Sequence, residues 1–391
     1  MRSMNTAERR ARLALRHRLC APARTDDVLE IVRSVLVLHA TDPATVHLSV
    51  AARSVHAVPA AMEKALYEDR TLLRMLAMRR TMFVAPTDLV PVLQASTANA
   101  LAARQRATYA RMIERGSDVT DGPALFVRAE EAAHEALLAR GRATGAQLSA
   151  DVPMLRTQVE MAPGKSYSRA TNITTWVLVT LGCEGRIVRG RPNGSWTSSQ
   201  YVWSPMETWL PGGIEALPAA EARADLVRRW LRVFGPAPAA DLKWWTGWSA
   251  GDVKKALALL DVTEVDLGGA TGLVLSDDLE PTPAPEPWAA LLPALDPTPM
   301  GWQERGWFLG AHGPLLFDRN GNIGPSVWWD GRIVGGWAQR RDGEIVFRLL
   351  EDVGAGARAA VVREAARMAE WYGDVRAIPR FRTPLERELT A

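Results

Sequence analysis

Apolar positions in the first ninety residues recur at helical spacing and then give way to a strand-like run. Thr6 opens an arginine–leucine stretch to Cys20, with Glu8 in its first turn, and this pattern predicts an amphipathic helix. The apolar run Val28–Leu38 follows a Thr25-Asp26-Asp27 cluster of capping residues, which predicts a second helix. Pro43 suits the first turn of a third, reaching Arg53, and Pro59 opens a fourth from Ala60 to Tyr67. Residues 72–86 (LLRMLAMRRTMFVAP) end in the strand-like Thr81–Ala85 before Pro86. Helices followed by a short strand pair are the plan of a winged helix.

The same plan recurs. Gly141-Arg142-Ala143-Thr144-Gly145-Ala146-Gln147-Leu148 and Gly235-Pro236-Ala237-Pro238-Ala239-Ala240-Asp241-Leu242 share the pattern G-x-A-x-x-A-x-L at an interval of 94 residues. Each follows an amphipathic helix (Phe126–Arg140; Glu221–Phe234), which the glycine ends, and a polar turn then opens the next helix. Each precedes a strand-turn-strand: Gly185–Trp203 around Pro192-Asn193-Gly194, and Val262–Ser276 around Gly268-Gly269. Prolines crowd residues 281–299, as in a linker or irregular crossing. Beyond them, short strands alternate with Asn320-Gly321, Asp330-Gly331 and Asp342-Gly343 turns, a pattern that suggests a small barrel or curled sheet. A helix from Ala355 to Trp371 follows, and residues 376–391 read as a polar surface tail. The expected class is α+β: tandem winged-helix units with a C-terminal β-barrel-like element. The expected domains are 1–118, 119–215, 216–282 and 283–391.

Composition refines this picture at a few points. The net charge is only +3, yet residues 1–24 carry seven arginines against the single acid Glu8. Such a segment either tracks phosphates or forms an amphipathic helix with a solvated face. All fifteen tryptophans lie between Trp176 and Trp371, so the two halves have different cores, and packing is favoured over base stacking as their use. Two cysteines, Cys20 and Cys183, are too few for a disulfide framework or a zinc finger and read as buried thiols in a reducing compartment. The chain has no long apolar run and no secretory pattern, so a cytoplasmic protein without a membrane partner is expected.

Chemistry-bearing motifs are few. The six histidines form neither H-E-x-x-H nor a Cys/His set, and Walker, dinucleotide and G-x-S-x-G signatures are absent; neither a metal nor a cofactor is expected. Val37-Leu38-His39-Ala40-Thr41-Asp42-Pro43, with Arg53 ten residues on, resembles the first winged helix of the AlkZ-like/YcaQ-like crosslink-repair DNA glycosylases. The resemblance continues through Met78–Phe83, Phe234-Gly235-Pro236 and Trp244-Trp245-Thr246-Gly247. It extends further through Leu291–Pro297, Gly301–Arg305 and Asp330–Trp337, in the family's order.

That resemblance implies three tandem winged helices plus a β-barrel-like element on duplex DNA, with monofunctional hydrolysis of the N-glycosidic bond of alkylated purines. Its catalytic motif, Gln-hydrophobic-Gln or Gln-hydrophobic-Asp, aligns with His39, Ala40 and Thr41, so neither amide nor acid is kept. Alkylation at N7 or N3 makes a purine a cationic leaving group. What remains is to stabilise an oxocarbenium-like sugar and to position water. His39 can orient or deprotonate that water, Thr41 can hydrogen-bond it, and Asp42 either supplies negative charge or caps the following helix. Asp296, in an apolar LLPALDP setting that would raise its pKa, is either a second carboxylate or a turn cap against Thr298. Arg74, Arg79, Arg80, Lys165, Arg169, Arg186, Arg189 and Arg191, on expected recognition helices or wings, are candidates for phosphate contacts, and Arg332 for a hairpin tip probing a groove. The partner implied is double-stranded DNA; no protein partner is. Three functions fit: a glycosylase, a non-catalytic DNA-binding regulator or adduct sensor, and a protein that sequesters a genotoxin.

Overall fold

The computed structural model describes residues 1–391 except Ala57, Pro163 and Tyr167. The chain divides into two compact units. One comprises Met1–Leu72, Val84–Pro86 and Ala224–Ala391, the other Leu73–Phe83 and Thr87–Arg223.

After a two-residue strand β1 (Arg2–Ser3), α1 (Thr6–Arg16) is capped by Asn5, whose side-chain oxygen accepts from Glu8 N. Asp27 caps α2 (Val28–Ser34) in the same way. The helix predicted to reach Leu38 stops four residues earlier. Leu36 turns left-handed (φ 69°), and Leu38–His39 form strand β2. An apolar run that short fits helix or strand equally well by period, and here sheet pairing wins. Helices α3 (Pro43–Ala51) and α4 (Pro59–Tyr67) start at the predicted prolines. The hairpin of β3 (Leu72–Leu76) and β4 (Met82–Pro86) completes a sheet in the order β2-β4-β3.

A short α5 (Val90–Leu93) passes through a π-helical turn into α6 (Asn99–Gly116), followed by α7 (Gly122–Arg140), which ends at Gly141 with φ 73°. Thr144 and Gln147 then form a reciprocal capping box at the start of α8 (Gly145–Asp151). A hairpin of β5 (Gln158–Met161) and β6 (Arg169–Asn172) precedes α9 (Thr174–Cys183), β7 (Ile187–Arg189) and β8 (Trp203–Pro205). Tyr109, Phe126, Leu148, Val177, Leu181 and Trp203 build the core of this unit, with Tyr109 stacked on Trp176 at 5.0 Å.

After α10 (Met206–Trp209), the pattern returns as α11 (Ala219–Phe234), α12 (Ala239–Thr246), α13 (Ala250–Leu257), β9 (Val262–Asp266) and β10 (Thr271–Leu275). The repeated alanine explains the matched sequence pattern. Ala143 exchanges both backbone hydrogen bonds with Trp203 of β8, and Ala237 exchanges both with Leu273 of β10. In all three modules a residue or short strand after the first helix pairs with the last strand of the hairpin. The strand order is therefore the same each time: β2-β4-β3, Ala143-β8-β7 and Ala237-β10-β9. Strand β1 adds to the third as a parallel neighbour of β9, burying Met4 against Val265 and Val274.

The proline-rich stretch 281–299 is more than a linker. It contains β11 (Ala289–Leu292), a fully buried strand, because the AALL run pairs with β12. Short helices α14 (Gly306–Leu309) and α15 (Gly313–Leu316) lead to β12 (Ser326–Trp329), β13 (Arg332–Gln339) and β14 (Ile345–Leu349). These four strands form an antiparallel sheet in the order β11-β12-β13-β14; among the described residues it does not close into the expected barrel. Helix α16 (Gly354–Tyr372) covers β11 and β14. The tail also departs from expectation. Residues Pro384–Leu389 form α17, whose Leu385 and Leu389 are buried one helical turn apart, and α17 packs on β13. The tryptophans serve mainly as core: Trp230, Trp302, Trp328 and Trp337 are buried. No helix among the described residues is long and apolar enough to cross a membrane.

The capping box at α8 offers a direct test of this local reading. Replacing Thr144 with Ala removes an N-cap acceptor and should cost about 1 kcal/mol; an unchanged denaturation midpoint would show that the box contributes nothing.

Candidate functional site: a buried ion pair and the arginine-bearing hairpins

Helix α3 carries the first candidate residues at its entrance. His39 ends β2 and is half-buried, as is Thr41, whereas Asp42 is buried. One Asp42 oxygen accepts from Ala44 N at 3.0 Å, the N-cap bond of α3, and the other accepts from Arg380 N at 2.7 Å. Burial raises its pKa against those backbone hydrogen bonds and the charge of Arg380. The cavity beside it, about 20 Å³ and lined by Thr45, Trp337 and Tyr372 among others, admits a water molecule and no base. Asp42 thus holds the helix entrance to the C-terminal segment.

Further along α3, two of the sequence segments meet. Arg53 and Asp296 are both fully buried and pair in bidentate fashion: Nη1 donates to Oδ2 at 2.8 Å and Nη2 to Oδ1 at 2.7 Å. Ser49 Oγ donates to Asp296 at 2.8 Å, and Thr298 N caps the turn at 3.0 Å. The expectation of a raised carboxyl pKa is reversed. Burial does push it up, but the charge and hydrogen bonds of Arg53, with those from Thr298 and Ser49, outweigh burial and hold it below the usual aspartate range. Sequence reading missed the partner because 243 positions separate the two residues.

The network extends to α1. Arg53 Nη2 donates to Thr298 Oγ1 at 2.7 Å, and that hydroxyl lies 2.9 Å from His17 Nδ1. His17 Nε2 sits 3.2 Å from the Val233 carbonyl, which can only accept. The consistent assignment is a neutral His17 that donates from Nε2 and accepts the Thr298 proton at Nδ1. Burial, with the nearby Arg53 charge, lowers the His17 pKa to about 3. The ring packs edge-on to Phe234 and stacks on Trp302. Asp241, also missed by sequence reading, is buried and accepts from Gln303 N and Glu304 N, both at 2.9 Å.

The N-terminal arginines turn inward instead of tracking phosphates or forming a solvated face. Arg2 and Arg12 bind Glu8, and Arg12 and Arg16 bind Asp278. Arg18 binds Glu30, Arg24 binds Glu364, Arg9 lies over the Trp307 ring, and Arg10 donates to the Trp307 carbonyl. One acid in the segment had suggested surplus charge; the compensating carboxylates come from elsewhere in the chain. The Asp330-Gly331 turn also faces inward. Gly331 has φ 78°, and a Cβ there would lie 2.5 Å from Arg10 Cβ. Arg332 beside it pairs with Glu351 at 2.9 Å.

The remaining candidate cations lie on strands, hairpin turns and their flanks, and none is on an α-helix. Arg74, in β3, is only 3% exposed and packs over the Tyr201 ring, so it does not present its charge to solvent. Arg186 is held by both oxygens of Glu131. Arg189, half-buried, lies over Tyr201 at 4.8 Å and Trp203 at 4.9 Å. Lys165, Arg169 and Arg191 are exposed, as are Arg79 and Arg80 at the β3–β4 turn. Both turn arginines are left-handed, with φ 54° and 59°, and Thr81 N closes the turn on Met78 O at 3.0 Å. This is the geometry that asparagine and glycine normally occupy in a two-residue hairpin. Arg80 Nη1 reaches Gln105 and Tyr109, both at 3.2 Å. No cluster of metal-ligating side chains occurs among the described residues.

Removing Arg53 leaves a buried, uncompensated carboxylate. Arg53→Ala should therefore cost about 3–5 kcal/mol, and Arg53→Lys should fail to restore the loss because an ammonium cannot form the planar fork. Urea denaturation of both variants checks this. For His17, the unfolded chain binds a proton below pH ~6.5 that the folded chain refuses until about pH 3. Stability should thus fall on acidification through that window, by up to about 1.4 kcal/mol per pH unit. His17→Gln should flatten the slope between pH 6.5 and 5; an identical slope in the two proteins would refute a neutral buried His17.

Comparison with known proteins places this architecture. A family model described as DNA glycosylase AlkZ-like matches residues 32–371. No curated protein matches the chain. The solved structure of Streptomyces sahachiroi DNA glycosylase AlkZ is similar to it in fold, at 20% sequence identity and a TM-score of 0.77, over 96% of this chain and 98% of that one. The match of the family model over most of the chain establishes the assignment: this protein belongs to the AlkZ-like DNA glycosylase family, a family of DNA-repair hydrolases.

Proposed function

We propose that the protein is a monofunctional DNA glycosylase that hydrolyses the N-glycosidic bond of bulky or crosslinked alkylated purines in duplex DNA. The observation that carries this reading is the threefold helix–strand–helix–helix–hairpin module with one strand order, in a chain of this family. We read the modules as winged helices whose domains follow the sequence boundaries 1–118, 119–215 and 216–282, with 283–391 as the sheet-bearing remainder. Alkylation makes the base a good leaving group, so the protein need only orient water and stabilise positive charge at the sugar. His39 accepts the water proton and Thr41 hydrogen-bonds the water. Asp42, its oxygens taken by Ala44 N and Arg380 N, anchors the β2–α3 segment that carries both.

Arg79, Arg80, Lys165, Arg169 and Arg191 serve as phosphate contacts, positioning the duplex without reading its sequence. Backbone conformation supports a function for the first two. A left-handed non-glycine residue costs of order 1–3 kcal/mol, and such strain concentrates at functional sites. The replacement of the family's catalytic amides by His39 and Thr41 favours a second reading, a non-catalytic DNA-binding protein of the same fold.

Incubation of the purified protein with duplex containing N7-methylguanine should release free base. His39→Ala should abolish release and leave duplex affinity nearly unchanged; full activity in that variant would overturn the catalytic role. Salt-sensitive duplex binding without any base release by the unaltered protein would establish the second reading. Replacing Arg79-Arg80 with Asn-Gly should raise the melting temperature by relieving turn strain. The same change should weaken duplex binding and reduce the slope of log affinity against log salt by about 2. An unchanged slope removes the hairpin from the DNA contact.

A further inference from the structure

Helix α6 carries a row of positive charge that the sequence reading did not single out. At about 100° per residue, Arg104, Arg111 and Arg115 fall within about 40° of one another round the helix axis. All three are exposed, while Tyr109, Ala110 and Ile113 are buried on the opposite side. The row runs for about 16 Å, the length of about five base pairs of duplex.

Helical arginines elsewhere in the chain have acids at helical spacing: Glu8 for Arg12 on α1, Asp225 for Arg229 on α11, and Glu364 for Arg367 on α16. On α6 itself, Arg106 turns inward and binds Glu130 and Glu184. The three outward arginines have no ion pair and no side-chain hydrogen bond among the described residues. Glu114, the one acid of the helix, lies about 80° from Arg104 round the axis, and its carboxylate accepts from Gly122 N at 3.1 Å, at the start of α7. Position 108, where an acid would meet both Arg104 and Arg111, holds Thr108, whose hydroxyl donates to the Arg104 carbonyl at 2.8 Å. Arg111 and Arg115 stand one turn apart with like charge, an arrangement that destabilises a helix by itself.

The β3–β4 turn is tied to the flank of this row. Arg80 Nη1 donates to Gln105 Oε1 and Tyr109 Oη on α6, and Gln105 directly follows Arg104. The exposed Arg79-Arg80 turn and the three helical arginines therefore belong to one surface of the second unit. Uncompensated charge in a straight row matches a polyanion whose charges repeat along an axis, and each DNA strand presents one phosphate per about 3.4 Å.

We infer that the outer face of α6 tracks the sugar–phosphate backbone of duplex DNA, with Arg104, Arg111 and Arg115 extending the contact made by the β3–β4 turn. The inference rests on the reading of this protein as a duplex-DNA binder and does not depend on base release.

Fluorescence anisotropy of a lesion-free duplex, titrated with the full chain over a range of salt concentrations, tests it. Replacing Arg104, Arg111 and Arg115 with Gln should reduce the slope of log affinity against log salt by about 0.9 per lost contact. Binding at physiological salt should weaken about tenfold or more. Thr108→Glu keeps all three arginines and gives them a carboxylate; it should raise the melting temperature and weaken duplex binding. Replacing the exposed Arg341, Arg358 and Arg363 with Gln removes the same charge elsewhere and should leave the slope nearly unchanged. An unaltered slope in the α6 variant, or an equal fall in both triple variants, would overturn the inference and leave the duplex-binding reading standing. Vesicles of phosphatidylglycerol that bind the unaltered protein but not the α6 variant, with duplex affinity the same in both, would assign the row to a membrane and overturn it too. Absence of duplex binding by the unaltered protein would instead remove the reading on which it rests.

Discussion

The interaction on which the first unit depends is the fully buried pair between Arg53 and Asp296. Two charges removed from water are costly, and such a pair holds only with close geometry and further hydrogen bonds around it. Here Ser49, the Thr298 amide and the Thr298 hydroxyl supply those bonds, leaving Arg53 Nε as the pair's one unbonded nitrogen, and His17 and the Val233 carbonyl continue the chain. Four parts of the sequence thus become interdependent: the end of α1, the length of α3, the end of α11 and the turn after β11. Displacing any one of them would leave a buried charge or polar group uncompensated, so the geometry of these four parts is tightly specified.

That specification bears on function through α3. The helix that carries Ser49, with Arg53 just past its end, is capped by Asp42 directly after the His39–Thr41 segment, and Thr45 Oγ1 also donates to the Ala294 carbonyl at 2.8 Å. His39 and Thr41 therefore lie at the end of a paired strand and directly before a helix held at both ends. In the second unit, rigidity comes instead from an apolar and aromatic core with peripheral ion pairs, and its hairpins carry most of the exposed candidate cations. Helix α9, apolar on most of its surface, has no basic side chain.

Charge had to be read against its partners. Seven arginines near the N-terminus suggest a phosphate-binding segment when counted alone, yet Glu8, Asp278, Glu30 and Glu364 engage five of them and the Trp307 residue the other two. Arg79 and Arg80 show the reverse. Nothing in their composition marks them; what sets them apart is that they are two consecutive, exposed left-handed residues at one hairpin turn.

By itself, the sequence determined what a few neighbouring residues can decide. Asp27, Pro43 and Thr144 mark helix starts because caps act on amides two or three positions away, and the G-x-A pattern marked the repeat because its alanine must bridge to a hairpin strand each time. The family resemblance was legible in the same way, in short ordered segments. Tertiary structure alone decided the early end of α2, the core strand inside the proline-rich stretch, the anchored tail and the ionisation of Asp296. Each of these turns on a partner far along the chain: β4 for Leu38–His39, β12 for Ala289–Leu292, Asp42 for Arg380, and Arg53 for Asp296. Burial and long-range Coulomb energy have no signature in local spacing, and they exist only once the chain has closed on itself.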